Sequence, residues 1–207
     1  MAATVYNVDD HIPGDKAPLV VRLRPVIDLT DDQFFEFCQL NRDLRIERTA
    51  QGELEIMPPT GWKTGSRNLE IAVQLGLWAK QDGTGIATDS SAGFTLPNSA
   101  TRAPDAAWVE RSRLSEIPDE QKEKFLPLCP DFVIELRSPT DSLAAVQAKL
   151  QEYIDNGARL GWLIDPIEGQ AYIYRPREPI EILQRPETLS GDPVLLGFVL
   201  HLREIWQ

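Results

Sequence analysis

Residues 129–141 read CPDFVIELRSPTD, and Glu135 stands in the middle of what should be a buried strand. A carboxylate in an apolar strand is costly to bury unless a cation or hydrogen-bond donors meet it. Alternation along a strand points Asp131, Val133, Glu135 and Arg137 to one face and Phe132, Ile134 and Leu136 to the other. Taken alone, the stretch fits a structural ion pair on a half-exposed face equally well. A second carboxylate, Asp105, follows Pro104 in RAPDAAWVE at the start of another strand. Pro-Asp is also a common turn dipeptide. Two carboxylates on neighbouring strands, however, suit a hard cation such as Mg²⁺, with water and a phosphate completing its shell. An ion held there could activate water and stabilise a leaving oxygen. Lys149 is the third element. On a helix beginning near Leu143, the residues Leu143, Val146, Leu150, Tyr153 and Ile154 form an apolar stripe, with Lys149 at its edge. Its stem can cross the core and carry the ammonium to the end of the sheet. By itself it reads more simply as a solvated lysine with Glu152 at i+3.

These residues need elements to position them. Residues 1–24 form an extended arm ending in PLVVRLRP, and residues 25–207 form one domain. Thr30 and Gln33 make a capping box ahead of DDQFFEFCQL. LRIERTAQGELEIM is a hairpin around Gln51-Gly52. A helix spans roughly 64–81, with Leu69, Val73 and Leu77 on one face, and Gly83 and Gly85 end it. Strands are expected at GIATDS, AGFTLP, DAAWVE, LGWLID, QAYIYRP, PIEILQ and PVLLGFVL. PDEQKEKF is a short surface helix, and a longer helix runs from about Asp141 to Asn156, closed by Gly157. The order implies a mixed α/β domain built on a central sheet.

Composition narrows the function classes. The chain has 207 residues, 42% of them hydrophobic, enough for a proper core. Net charge −11 argues against coating nucleic acid by bulk charge, though a cleft can carry its own field. Cys38 and Cys129 match no metal or redox spacing and read as buried free thiols of a cytoplasmic protein. No apolar run approaches a membrane span, and the N-terminus lacks the features of a secretion signal. His11 and His201 have no zinc-ligand partners. GWKTGS lacks the spacing of a phosphate loop.

PDAAWV followed by LCPDFVIELRSPTDSLAAVQAKLQEYIDNGARLGWLIDP closely resembles the Uma-type restriction endonucleases, a branch of the PD-(D/E)XK nuclease superfamily. So do IMPPTGWKTGSRNLEIAVQL and DSSAGFTLPNSATRAPDAAWV, and the resemblance runs from about Pro25 to Trp206. It implies a restriction-endonuclease-like core: a central mixed β-sheet flanked by helices, here with an added N-terminal hairpin and C-terminal strands. It also implies that Asp105 and Glu135 are metal ligands. The superfamily usually places lysine two residues after the second acid, where this chain has Arg137. The Uma-type branch takes its lysine from the next helix, and Lys149 matches. Glu70 in NLEIAV matches the acid often contributed by the first core helix, with Asn68 a neighbour that could matter as much.

The function so implied is Mg²⁺-dependent hydrolysis of DNA phosphodiesters, with Mn²⁺ as a substitute ion. Lys149 would orient or deprotonate water, or stabilise developing charge. Arg137 and Arg102 are the expected substrate-binding residues, and with Arg111 and Arg113 they would offset the acidic background. A nuclease-fold binding protein with weak or no catalysis is the alternative. Cutting two antiparallel strands suggests a homodimer, for which the apolar arm and tail offer surface.

Overall fold

The computed structural model describes residues 18–207; His11 and most of the expected N-terminal arm lie outside that range. In chain order its elements are β1 (Leu19–Arg22), α1 (Asp31–Leu40), β2 (Arg45–Arg48), β3 (Glu53–Met57), α2 (Trp62–Asp82), β4 (Gly85–Asp89), β5 (Phe94–Thr95), β6 (Thr101–Arg102), β7 (Ala106–Glu110), α3 (Arg111–Ser115), α4 (Asp119–Lys122), β8 (Phe132–Leu136), α5 (Leu143–Asp155), β9 (Leu160–Asp165), β10 (Gln170–Tyr174), β11 (Glu181–Gln184), β12 (Thr188–Ser190) and β13 (Val199–His201). Local chemistry explains several boundaries. Thr30 and Gln33 form the reciprocal capping box that starts α1. Gly52, at φ 83°, turns the β2–β3 hairpin, and Gly83, at φ 74°, ends α2 in the left-handed conformation.

A six-stranded sheet of order β11-β10-β9-β8-β7-β4 forms the centre. It is mixed: β8 and β9 run parallel, and the other pairings are antiparallel. Both of its faces are covered. On one, α2 and the C-terminal segment pack Ile71, Leu75, Phe198 and Leu202 against Trp108, Phe132, Ile134 and Trp162. On the other, Leu150, Tyr153 and Ile154 of α5 meet Val133, Leu163 and Tyr172. Strand β8 is therefore buried throughout, and the half-exposed sheet face that Glu135 could have occupied does not exist.

A second sheet, β1-β3-β2-β6-β5, carries the N-terminal hairpin. Strand β1 pairs with β3, so the end of the arm belongs to the folded domain. The apolar tail folds back too: Leu195, Phe198, Leu200, Leu202 and Ile205 are core residues. The two segments expected to offer dimer surface are thus largely folded onto their own domain, with Leu19, Leu196 and Val199 still exposed. The expected strand over PVLLGFVL shrinks to β13, which pairs with β12, a strand unmarked in the sequence reading.

Helix α2 corrects another expectation. Leu69, Val73 and Leu77 are exposed, and the sheet is met by Ile71, Leu75 and Ala79. Both sets have four-residue spacing, so periodicity alone could not rank them.

Candidate functional site

The pairing of β7 with β8 runs Trp108 opposite Phe132, Ala107 opposite Val133 and Ala106 opposite Ile134. One further step of this register sets Asp105 across from Glu135. Directly opposed residues lie on the same side of a sheet at close range, and like charges there repel. Both carboxylates are buried, at 6% and 5% exposure. Asp105 Oδ2 accepts from the Leu136 amide at 2.9 Å, and its Oδ1 accepts from Asn68 Nδ2 at 3.0 Å. Glu135 Oε1 accepts from the Tyr153 hydroxyl at 3.1 Å and lies 2.8 Å from Lys149 Nζ.

Lys149 does reach the end of the sheet, and a second acid meets it there. Its Nζ also contacts Glu47 Oε1 at 2.9 Å, so one ammonium bridges two buried carboxylates. Glu47, on β2, was not singled out from the sequence. Its other oxygen lies 3.3 Å from Arg102 Nη1, and its Oε1 accepts from the Ala103 amide. A signal for it existed. Glu47 stands directly opposite Glu55 across the hairpin, and two facing carboxylates call for a buried cation between them. That cation is Arg102, which pairs with Glu47, Glu55 and Glu152.

The charges set the protonation chemistry. Burial pushes the Glu135 carboxyl up to about 7, helped by Asp105 and Glu47 and opposed by Lys149. Burial likewise raises Asp105, against the pull of Arg45. Burial would raise Glu47 as well, but Lys149 and Arg102 outweigh it and hold the group below its ordinary value. Burial would lower Lys149, yet Glu135 and Glu47 raise it above the ordinary lysine value. The two carboxylates thereby favour Lys149 as a cation in the metal-free protein.

The other expected residues fall elsewhere. Arg102 is only 9% exposed, and its Nε and Nη1 are taken by three carboxylates. Arg137 follows the last residue of β8, and its amide still donates to the Ile164 carbonyl of β9. It pairs with Asp165 at 2.7 Å and does not hold Glu135. Arg111 binds the Gly83 carbonyl and Arg113 pairs with Asp131, both at the opposite end of β7 and β8. Glu70 accepts from Gln74 on the side of α2 facing β13. Asn68, two residues earlier, supplies the contact from α2 instead.

Arg137→Lys separates structure from catalysis. Asp165 is fully buried, so losing the arginine fork should cost about 1–3 kcal/mol in urea unfolding without adding activity. A gain in phosphodiester cleavage would show that lysine can serve from this position.

The donor set fits a hard divalent ion. Glu47, Glu55, Asp105, Glu135 and Glu152 share only Arg45, Arg102 and Lys149, leaving the cluster two charges negative when all five acids are ionised. Asn68 Oδ1, beside Asp105, is a buried acceptor without a donor. No cluster of three or more His, Cys, Asp or Glu side chains suited to a metal occurs among the described residues. Asp105 and Glu135 are the two carboxylates that could hold such an ion, with water and phosphate completing its shell.

Residues 31–203 match the Uma2 family, whose description is "Putative restriction endonuclease". The chain belongs to the Uma2 family. A putative nuclease belonging to DUF820 from Anabaena variabilis ATCC 29413 has a similar structure, with a TM-score of 0.69 at 22% identity over 86% of this chain and 98% of that one. No curated protein matches the chain. Uma2 membership and this likeness bear out the expected restriction-endonuclease-like fold.

Proposed function

We propose that this Uma2 protein hydrolyses DNA phosphodiester bonds with Mg²⁺, or Mn²⁺ in its place, held by Asp105 and Glu135. The carrying observation is the pair of buried, opposed carboxylates with the Lys149 ammonium 2.8 Å from one of them. A divalent ion, when bound, lowers the pKa of water and offsets charge on the phosphate. Asn68 and the Leu136 amide fix the orientation of Asp105. Tyr153 and Lys149 fix Glu135. Lys149 presents a preorganised positive charge to the oxygens that gain charge in the transition state. The test is cleavage of supercoiled and linear DNA with Mg²⁺, Mn²⁺ or a chelator. Expected are metal-dependent products that disappear in Asp105→Asn. Chelator-resistant cleavage, or equal cleavage by the variant, would overturn the assignment.

The second reading is a nuclease-fold binding protein with weak or no catalysis, which the net charge of −11 favours. Metal binding without cleavage of any DNA form would decide for it. Cys38 and Cys129 are free thiols, which suits a cytoplasmic setting. No helix among the described residues is long and apolar enough to cross a membrane.

A homodimer remains part of the proposal, on a different surface. Strand β4 is an edge of the central sheet, and the exposed Leu69, Val73 and Leu77 form a stripe on α2, whose Val73 shares a surface cleft with Ala87 and Thr88 of β4. An open antiparallel edge next to an apolar stripe can meet its own copy about a two-fold axis. Light scattering should give twice 23.3 kDa, and Val73→Glu with Leu77→Glu should return the monomer. A wild-type mass of 23.3 kDa would remove the dimer.

A further inference from the structure

We propose that Arg45, on β2, is the phosphate-binding residue of this site, its guanidinium receiving a non-bridging oxygen of a phosphodiester placed at Asp105. The inference rests on the nuclease reading for the identity of the substrate, but its geometry stands apart. The other cations around the paired carboxylates are each held by carboxylate oxygens. Arg102 is held by three carboxylates, Lys149 by two, and Arg137 by Asp165.

Arg45 is held differently. Its one hydrogen bond runs from Nη2 to the Ala103 carbonyl at 2.9 Å. Its approach to Asp105 Oδ1, 3.8 Å from Nη2, is an ion pair without a hydrogen bond. Both Asp105 oxygens already accept from other donors, Asn68 and the Leu136 amide. Nε is shut from solvent with no acceptor at all, a state that costs about 1–3 kcal/mol in a folded protein and asks for an explanation.

The side chain nevertheless keeps 31% of its surface exposed, and its Nη1, which makes no hydrogen bond, is not among the atoms shut from solvent. Asp105, Glu47 and Glu135 all act on the guanidinium and keep it charged. A planar fork with spare N–H donors beside a cation-binding carboxylate matches two oxygens of a phosphate, where a lysine would offer only a point charge. In a protein of net charge −11, a local cation of this kind is also what would let an anionic polymer approach.

The experiment uses the full chain, with Arg45→Met keeping the stem and Arg45→Lys keeping the charge. Three readouts are taken: Mn²⁺ affinity by calorimetry, binding of a fluorescein-labelled DNA duplex in Ca²⁺ by anisotropy, and cleavage in Mg²⁺. The expected result is unchanged Mn²⁺ affinity, duplex binding weakened at least about tenfold in Arg45→Met, and partial recovery in Arg45→Lys. Equal duplex binding by wild type and Arg45→Met overturns the proposal, as does a wild type that binds Mn²⁺ but no duplex. Loss of Mn²⁺ affinity in Arg45→Met also overturns it, by making Arg45 a support for Asp105. Should Arg45→Met fail to fold, Arg45→Lys against wild type carries the same comparison, with equal duplex affinity again the overturning result. Arg45-dependent duplex binding without cleavage by any form would defeat the nuclease reading while leaving this inference standing.

Discussion

Asp105→Asn should abolish stabilisation by Mn²⁺ while leaving the metal-free protein at least as stable as wild type. Asp105 and Glu135 face one another in the interior, and burial raises both above their ordinary carboxyl values. Each therefore costs free energy when ionised without a cation. An amide at position 105 keeps an oxygen for the Leu136 amide. Its new N–H₂ group can donate to Asn68 Oδ1, which has no donor in wild type, once the Asn68 amide turns over. Mn²⁺ at a hundred times its dissociation constant adds about 2.7 kcal/mol to any protein that binds it only when folded. For a chain of this size that is a rise in Tm of roughly 5–10 °C. Calorimetry with and without Mn²⁺ should show the rise in wild type and not in Asp105→Asn; an equal rise in both would remove Asp105 from the metal site. The sign of the pH effect is fixed as well. Glu135 is raised from 4.5 to about 7, so its contribution is fully present below pH 4.5 and is lost as pH rises through 7. The loss is about 3 kcal/mol in metal-free protein, and Glu135→Gln should remove that part of the pH dependence.

Much of the fold was legible because local chemistry agreed with tertiary demand. The Thr30 capping box, the Gln51-Gly52 hairpin and the Gly83 cap each occur where the sequence places them. The strand pair carrying Asp105 and Glu135 was legible for the same reason, since a carboxylate in a buried run must be paired. What failed had no local signature. Leu69 and Ile71 belong to two stripes of equal period, and only the sheet decides which is buried. Arg137 follows Glu135 at strand spacing, but its guanidinium is taken by Asp165 on β9, a partner the local sequence does not disclose. Glu47 lies far before Glu135 in the chain, and the two meet only through Lys149. The hairpin could have disclosed Glu47 by its opposition to Glu55, though not that Lys149 would arrive as its second cation.

That meeting changes what Lys149→Ala should do. A lysine at the edge of a helix would be lost at little structural cost, and the expected effect would be confined to catalysis, roughly 10²–10³-fold in rate. The observed Lys149 is 15% exposed and bridges side chains that are 3% and 7% exposed. Removing it strands two buried carboxylates at once. Breaking a buried pair from one side costs about 3–5 kcal/mol. Lys149→Ala should therefore unfold at markedly lower denaturant, and its lost activity would by itself say little about mechanism. The informative variant removes a charge from each side. Lys149→Met with Glu47→Gln retains the volume of both side chains, and the amide introduced at position 47 can still accept from Arg102 or from the Ala103 amide through its oxygen. The double variant should recover part of the stability lost in Lys149→Met, that due to Glu47, giving a coupling energy within the roughly 0.5–3 kcal/mol range for residues in contact. It should stay catalytically inactive under the proposed role of Lys149, because that cation is gone while the fold and the Asp105–Glu135 pair remain. Additive stabilities in that cycle would show that the bridge between Glu47 and Lys149 carries no energy. Restored cleavage would return Lys149 to a purely structural role and leave Arg45 as the cation serving the phosphate.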